Sequence, residues 1–269
     1  MKRLLFGLLL CVVFCGCVRV NTCGVAKKNF HLILLVGQSN MAGRGQVLPE
    51  DREPIPGVMM LNEENQWVPA CHPIHFDKKE AGFGLAGEFA KDYLSEHPGV
   101  TVGLVPCAVG GSGIKYWFPG VEYAGAGLKN GPVHPFDDAV ARVKIARQDG
   151  VFKAILWHQG EANCSLKGVE NYPEMQKQVL TSLREACGVP DCPAVIGEVG
   201  RFFPRSGKRA GVALFLKAQM DALKICPRTG YASSEELTSN PDKTHFDRES
   251  LILFGDRYYQ AFRTLEITK

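Results

Sequence analysis

No stretch of this 269-residue chain is apolar for long enough to span a bilayer comfortably. The nearest to one, Leu4 to Val18, is broken only by Gly and Cys and follows Lys2 and Arg3. A short apolar run behind a basic start reads as an export signal, not an anchor. The chain also lacks an excess of one charge, with 31 Lys and Arg against 28 Asp and Glu. Cleavage after Gly16 removes two bases and no acid, so the net +3 falls by two. That balance argues against a nucleic-acid or acidic-membrane partner. Metal-ligand spacings are missing as well. His72-x-x-His75 has no carboxylate or cysteine at a familiar distance, so the pair reads as surface histidines and no metal or cofactor is expected. Nothing repeats, and one domain over 23–269 is the default after a signal and lead-in over 1–22.

Cysteine, by contrast, is plentiful. Of ten, Cys11 and Cys15 belong to the signal, and Cys17 ends Phe14-Cys15-Gly16-Cys17, which resembles a lipoprotein cleavage site. Lipidation at Cys17 and simple cleavage are the two readings; both take the protein out of the cytoplasm. The remaining seven are odd in number, and Cys187 and Cys192, flanking Gly188-Val189-Pro190-Asp191, are the one expected disulfide.

The apolar run Leu32 to Val36 switches abruptly to Gly37-Gln38-Ser39-Asn40-Met41-Ala42-Gly43, a buried strand ending in a tight turn. Val58 to Leu61 reads as a short extra strand, Asn62 to Lys79 as an irregular section, and Gly84 to Glu96 as a helix. Val100 to Val105 predicts a strand ending in Pro106-Cys107-Ala108-Val109-Gly110-Gly111-Ser112-Gly113, followed by a glycine-rich surface loop from Gly120 to Gly131. A helix from Pro135 precedes the strand Phe152 to Trp157, which ends in His158-Gln159-Gly160-Glu161-Ala162-Asn163. Next come a helix over Tyr172 to Ala186, the strand Ala194 to Val199, and a basic loop from Arg201 to Arg209 carrying Arg205 and Lys208. The helix Val212 to Ile225 is expected to face inward through Phe215, Leu216, Met220 and Leu223. Asp247 caps a last helix striped by Leu251, Phe254, Tyr258, Phe262 and Leu265. Alternating strands and helices predict an α/β fold, a parallel sheet wrapped on both faces.

In such a sheet ligands gather beyond the carboxyl ends of the strands, where Ser39 falls. A serine hydroxyl attacks only when a base takes its proton. Asp242-Lys243-Thr244-His245 supplies one, because a carboxylate three residues from an imidazole can orient it and favour its charged form. Alone, an Asp-x-x-His is more often a plain turn. The other strand-end turns change its weight: Gly110 N–H and the Gln159 amide, with the Ser39 N–H, could form an oxyanion hole. Glu161 could serve as a second acid or bind a sugar hydroxyl, and His158, after a buried strand, reads as structural. Trp67, Tyr116, Trp117 and Phe118 are candidates for stacking on sugar rings.

Four blocks, Gly37 to Gly43, Val105 to Ser112, His158 to Asn163 and Asp242 to Asp247, together resemble the SGNH-hydrolase superfamily. More narrowly they resemble the acetylesterases of carbohydrate esterase family six and the related sialate O-acetylesterases. The resemblance implies a flavodoxin-like three-layer α/β/α sandwich with a parallel sheet, and metal-independent removal of O-acetyl groups from carbohydrate. It makes Ser39 the nucleophile, His245 the base and Asp242 its partner. It supports Gly110 and Gln159 as oxyanion donors, with Gly111 the neighbour onto which the first could slip. Ser112 departs from the threonine common in this branch. The compact length favours an acetyl-xylan-esterase-like form, with sialate esterase as the alternative; a non-catalytic carbohydrate-binding protein is the rival of another class.

Overall fold

The computed structural model describes residues 24–203 and 209–267. The expected export signal, Cys17, Cys23, Arg205 and Lys208 lie outside them. Strand β1 (Phe30–Gly37) is buried along its whole length, as its unbroken apolar run requires. It lies at the centre of a seven-stranded sheet with β2 (Val58–Leu61), β3 (Trp67–Pro69), β4 (Thr101–Pro106), β5 (Val151–His158), β6 (Ala194–Gly197) and β7 (Thr229–Ala232). The spatial order is β3-β2-β4-β1-β5-β6-β7. All neighbours run parallel except β2 and β3. Helices α2 (Ala86–Glu96) and α6 (Arg248–Ile267) pack together, as do α3 (Pro135–Asp149), α4 (Tyr172–Cys187) and α5 (Arg209–Ile225), giving the three layers. A four-residue helix, α1 (Ser39–Ala42), follows β1 directly.

The departures from the sequence pattern have local causes. β3 lies inside the section read as irregular and turns the sheet's edge antiparallel. It is only three residues long, and its hairpin is held by Asn65 at φ +59 and by Gln66 N–H donating to Asn62 Oδ1. β7 contains Gly230 and has one fully buried residue in four, too little patterning to read as a strand. Met220 is 46% exposed; α5 instead turns Val212, Phe215, Gln219 and Ala222 inward, because Gln219 donates to Gly197 O at the end of β6. His72 and His75 are buried, not on the surface.

The expected disulfide is absent: Cys187 and Cys192 are free thiols. Gly188, at φ +72, ends α4 by donating to Arg184 O and Glu185 O, and Cys192 N–H closes the next turn onto Val189 O. Burial raises the Cys187 thiol far above its ordinary range and pushes Cys192 up to about 12. A thiol kept protonated is a poor nucleophile for oxidation.

Sheet order reverses at β1, whose next strand in sequence lies beyond β4 while β5 lies on its other side. The turns after β1, β4 and β5 therefore converge on one crevice.

Candidate active site

Gly37 sets the position of Ser39. It pairs with His158 on β5 at φ +124, and a Cβ there would stand 2.1 Å from His158 O, so only glycine fits. The chain then turns into α1, where the Ser39 N–H, in a first helical turn, has no intrahelical acceptor.

Across the crevice, the loop before α6 brings two more groups to the serine. His245 Nε2 lies 2.9 Å from Ser39 Oγ and His245 Nδ1 lies 2.6 Å from Asp242 Oδ2. The other carboxylate oxygen, Asp242 Oδ1, accepts from Thr244 N–H at 2.9 Å and His245 N–H at 3.0 Å. Partial burial pushes this carboxyl up, but the backbone and imidazole bonds from His245 and the Thr244 N–H outweigh it and hold Asp242 below its ordinary range. It therefore stays ionised beside the imidazole. Asn40 ties the loop to β1: its Oδ1 accepts from Phe246 N–H at 3.2 Å, and its Nδ2 donates to Thr244 O at 3.2 Å.

Glu161 is buried in the wall of the same cleft and hydrogen-bonds to neither Ser39 nor His245. Its Oε1 accepts from Asn40 Nδ2 at 2.5 Å and pairs with His158 Nε2 at 3.2 Å. Burial pushes its carboxyl up, yet the adjacent His158 and the bonds from His158 and Asn40 bring it below the ordinary range. The expected second acid thus reaches His245 only through Asn40 and the loop that Asn40 holds. His158 is fully buried between Glu161 and Tyr258, as a structural histidine.

The expected oxyanion donors are redistributed. Gln159 is fully buried, and its Nε2 donates to Gln38 Oε1 at 3.1 Å and Asn163 Oδ1 at 2.7 Å, while Tyr172 Oη donates to its Oε1 at 2.9 Å. Both amide hydrogens are engaged behind the cleft. Gln38 lines the cleft, and its Oε1 also accepts from Gly160 N–H and Ala162 N–H, so Gln38 Nε2 is the unspent amide donor of the pair. Gly110 N–H donates to Asp77 Oδ2 at 2.8 Å. The next residue, Gly111, lines the same cleft with its N–H unbonded. Asp77 in turn pairs with Arg44 at 2.8 Å. Asp77 carried no signal in the sequence and Arg44 none beyond following the first block, whereas Asn40 and Gln38 lie inside that block, on either side of Ser39.

These groups surround a cleft of about 780 Å³. Among the described residues no cluster of three or more His, Cys, Asp or Glu could hold a metal. Of the aromatic candidates, Trp67 packs against Phe30, Trp117 is buried against Trp157, and Phe118 packs on the core; Tyr116 alone stays beside the cleft, against Tyr123.

Residues 29–264 match the family model described as carbohydrate esterase, sialic acid-specific acetylesterase. A probable carbohydrate esterase of Arabidopsis thaliana is 30% identical over 186 residues, 61% of this chain and 67% of that one. The solved structure of that Arabidopsis locus superposes with a TM-score of 0.74 at 25% identity, covering 88% of this chain and 98% of the other. NanS gives 0.71 at 15% identity, over 91% and 100%. A carbohydrate acetylesterase from Xanthomonas citri gives 0.61 at 19%, over 90% of this chain and 57% of its own. At those lower identities NanS and the Xanthomonas enzyme show the fold.

Proposed function

Because the chain belongs to the carbohydrate esterase family of sialic acid-specific acetylesterases, and is thus a carboxylic ester hydrolase and not a mere binding protein, we propose that Ser39, His245 and Asp242 form its catalytic triad. We propose that the enzyme is exported and that its substrate is acetylated xylan or a related plant polysaccharide. The observation that carries the triad is the unbroken line from Asp242 Oδ2 through His245 to Ser39 Oγ, at 2.6 and 2.9 Å.

In this mechanism His245 Nε2 takes the Ser39 proton as Oγ attacks the acetyl carbonyl, and Asp242 stabilises the imidazolium that results. The oxyanion is received by the Ser39 N–H, the Gly111 N–H and Gln38 Nε2. His245 then protonates the departing sugar hydroxyl, and water repeats the sequence to release acetate. A neutral sugar is favoured over a sialate by Arg44. Its guanidinium spends one N–H on Gly43 O and one on Asp77, whose carboxylate neutralises its charge and so weakens its pull on a sialate carboxylate. The basic, apolar segment from Lys2 to Val18 supports export, by lipidation at Cys17 or by simple cleavage.

Acetate release from acetylated xylan and from O-acetylated sialic acid, measured side by side, tests the reading. Release from xylan should fall by at least roughly 10³-fold in Ser39→Ala. Release from the sialic acid alone would transfer the protein to sialate chemistry, and activity surviving in Ser39→Ala would remove Ser39 from the mechanism.

A further inference from the structure

The cleft at Ser39 does not end at the acyl-transfer groups. A second hollow of about 480 Å³ adjoins it, and the two share Gly111 and Ala162 in their walls. They form one groove with the Gly111 turn as its saddle. The far half is lined by Tyr116 and Tyr123 on one side and by Ser165, Lys167 and Glu170 on the other.

Nothing in acyl transfer needs this second half, yet its composition is specific. The Tyr116 and Tyr123 rings meet at 4.7 Å with a 58° tilt, and the Lys115 ammonium stands 4.7 Å over the Tyr116 ring. The pair is fixed to the oxyanion turn, because Tyr123 Oη donates to Gly110 O at 3.2 Å. Among the described residues Lys115 and Lys167 enter no ion pair. Between Ser165 and Lys167, Leu166 stands 73% exposed at the rim. Aromatic and aliphatic surface beside long-chain donors free of ion pairs suits a pyranose, which has an apolar C–H face and a rim of hydroxyls.

We propose that this hollow is a subsite for the sugar adjoining the acetylated one, so that the enzyme acts on esters of a saccharide chain in preference to those of a free monosaccharide. The inference rests on the acetylesterase reading for its first sugar. With one ring at Ser39, its neighbour crosses the Gly111 saddle and meets Tyr116.

The test compares mono-O-acetylated methyl xyloside with mono-O-acetylated xylotriose, and separately measures binding of unesterified xylotriose to Ser39→Ala by calorimetry. The wild type should favour the trisaccharide ester in kcat/KM by about tenfold, carried by KM, as one aromatic contact would supply. Tyr116→Ala should bring that ratio near one and weaken xylotriose binding equally, whereas Tyr116→Phe keeps both. Lys115→Ala, at an exposed position, should reduce the ratio without touching the fold. Equal kcat/KM on the two esters, or a ratio indifferent to Tyr116→Ala, overturns the subsite and leaves the esterase reading standing. If neither ester is cleaved while xylotriose binds in a Tyr116-dependent way, the esterase reading fails and the subsite stands; no xylotriose binding refutes the subsite whatever the hydrolysis.

Discussion

Two glutamines meet behind Ser39, and their hydrogen bonds separate their tasks: Gln159 spends both amide hydrogens on Gln38 and Asn163, and Gln38 keeps its own amide nitrogen uncommitted at the cleft. The sequence pointed to Gln159 because it follows a strand end. Its capture by Asn163 and Tyr172 depends on how the turn after β5 closes on α4, which spacing does not reveal. Gln38→Ala should therefore lower kcat on 4-nitrophenyl acetate by about 10²–10³-fold with the melting temperature near the wild-type value. Gln159→Ala should lower the melting temperature, since it empties a fully buried site and removes the side-chain bonds to Tyr172 Oη, Gln38 Oε1 and Asn163 Oδ1. Should Gln159→Ala lose turnover while keeping its melting temperature, Gln159 would return as the donor.

At the scale of elements, the question is what joins the two ends of the chain. β1 carries the serine near the start, and the loop before α6 carries the histidine near the finish. Asn40 bridges them, bonding Thr244 O and Phe246 N–H on one side and Glu161 on the other. Two strand-end blocks recognised separately in the sequence are thus in direct contact through Asn40 and Glu161. Loosening this loop displaces His245 from Ser39, and a shift on the order of 1 Å can cost about 10²-fold. Asn40→Ala should show that loss in kcat with Ser39 still in place, read by steady-state kinetics beside a structure of the variant. An unmoved His245 with full turnover would deny Asn40 its positioning role.

For the molecule as a whole, three buried histidines couple stability to acid. Burial lowers His31 and His72 to about 4 and His75 to about 3 from an ordinary 6.5. The unfolded chain binds protons near 6.5 that the native state refuses, so stability is full above that value and falls as pH drops toward 4. The melting temperature should decline steadily from pH 7 to pH 4.5, and His72→Gln, which can still accept from Gly84 N–H, should shallow the slope by roughly a third of the histidine contribution. A flat profile would mean that these histidines charge freely in the folded protein. The α/β class, the central strand, the five long helices and the Ser39, Asp242 and His245 set were legible in the sequence, because apolar periodicity and strand-end turn residues are local consequences of residue type. Only the tertiary structure decided that the Gly111 N–H and Gln38 Nε2 stay unbonded at the cleft while the Gly110 N–H and the Gln159 amide are taken by Asp77, Gln38 and Asn163, that Cys187 and Cys192 remain free thiols, and that Tyr116 reaches a groove. Each of these depends on which partner in a distant element takes a hydrogen bond or fills a space first, and no spacing along the chain encodes that competition.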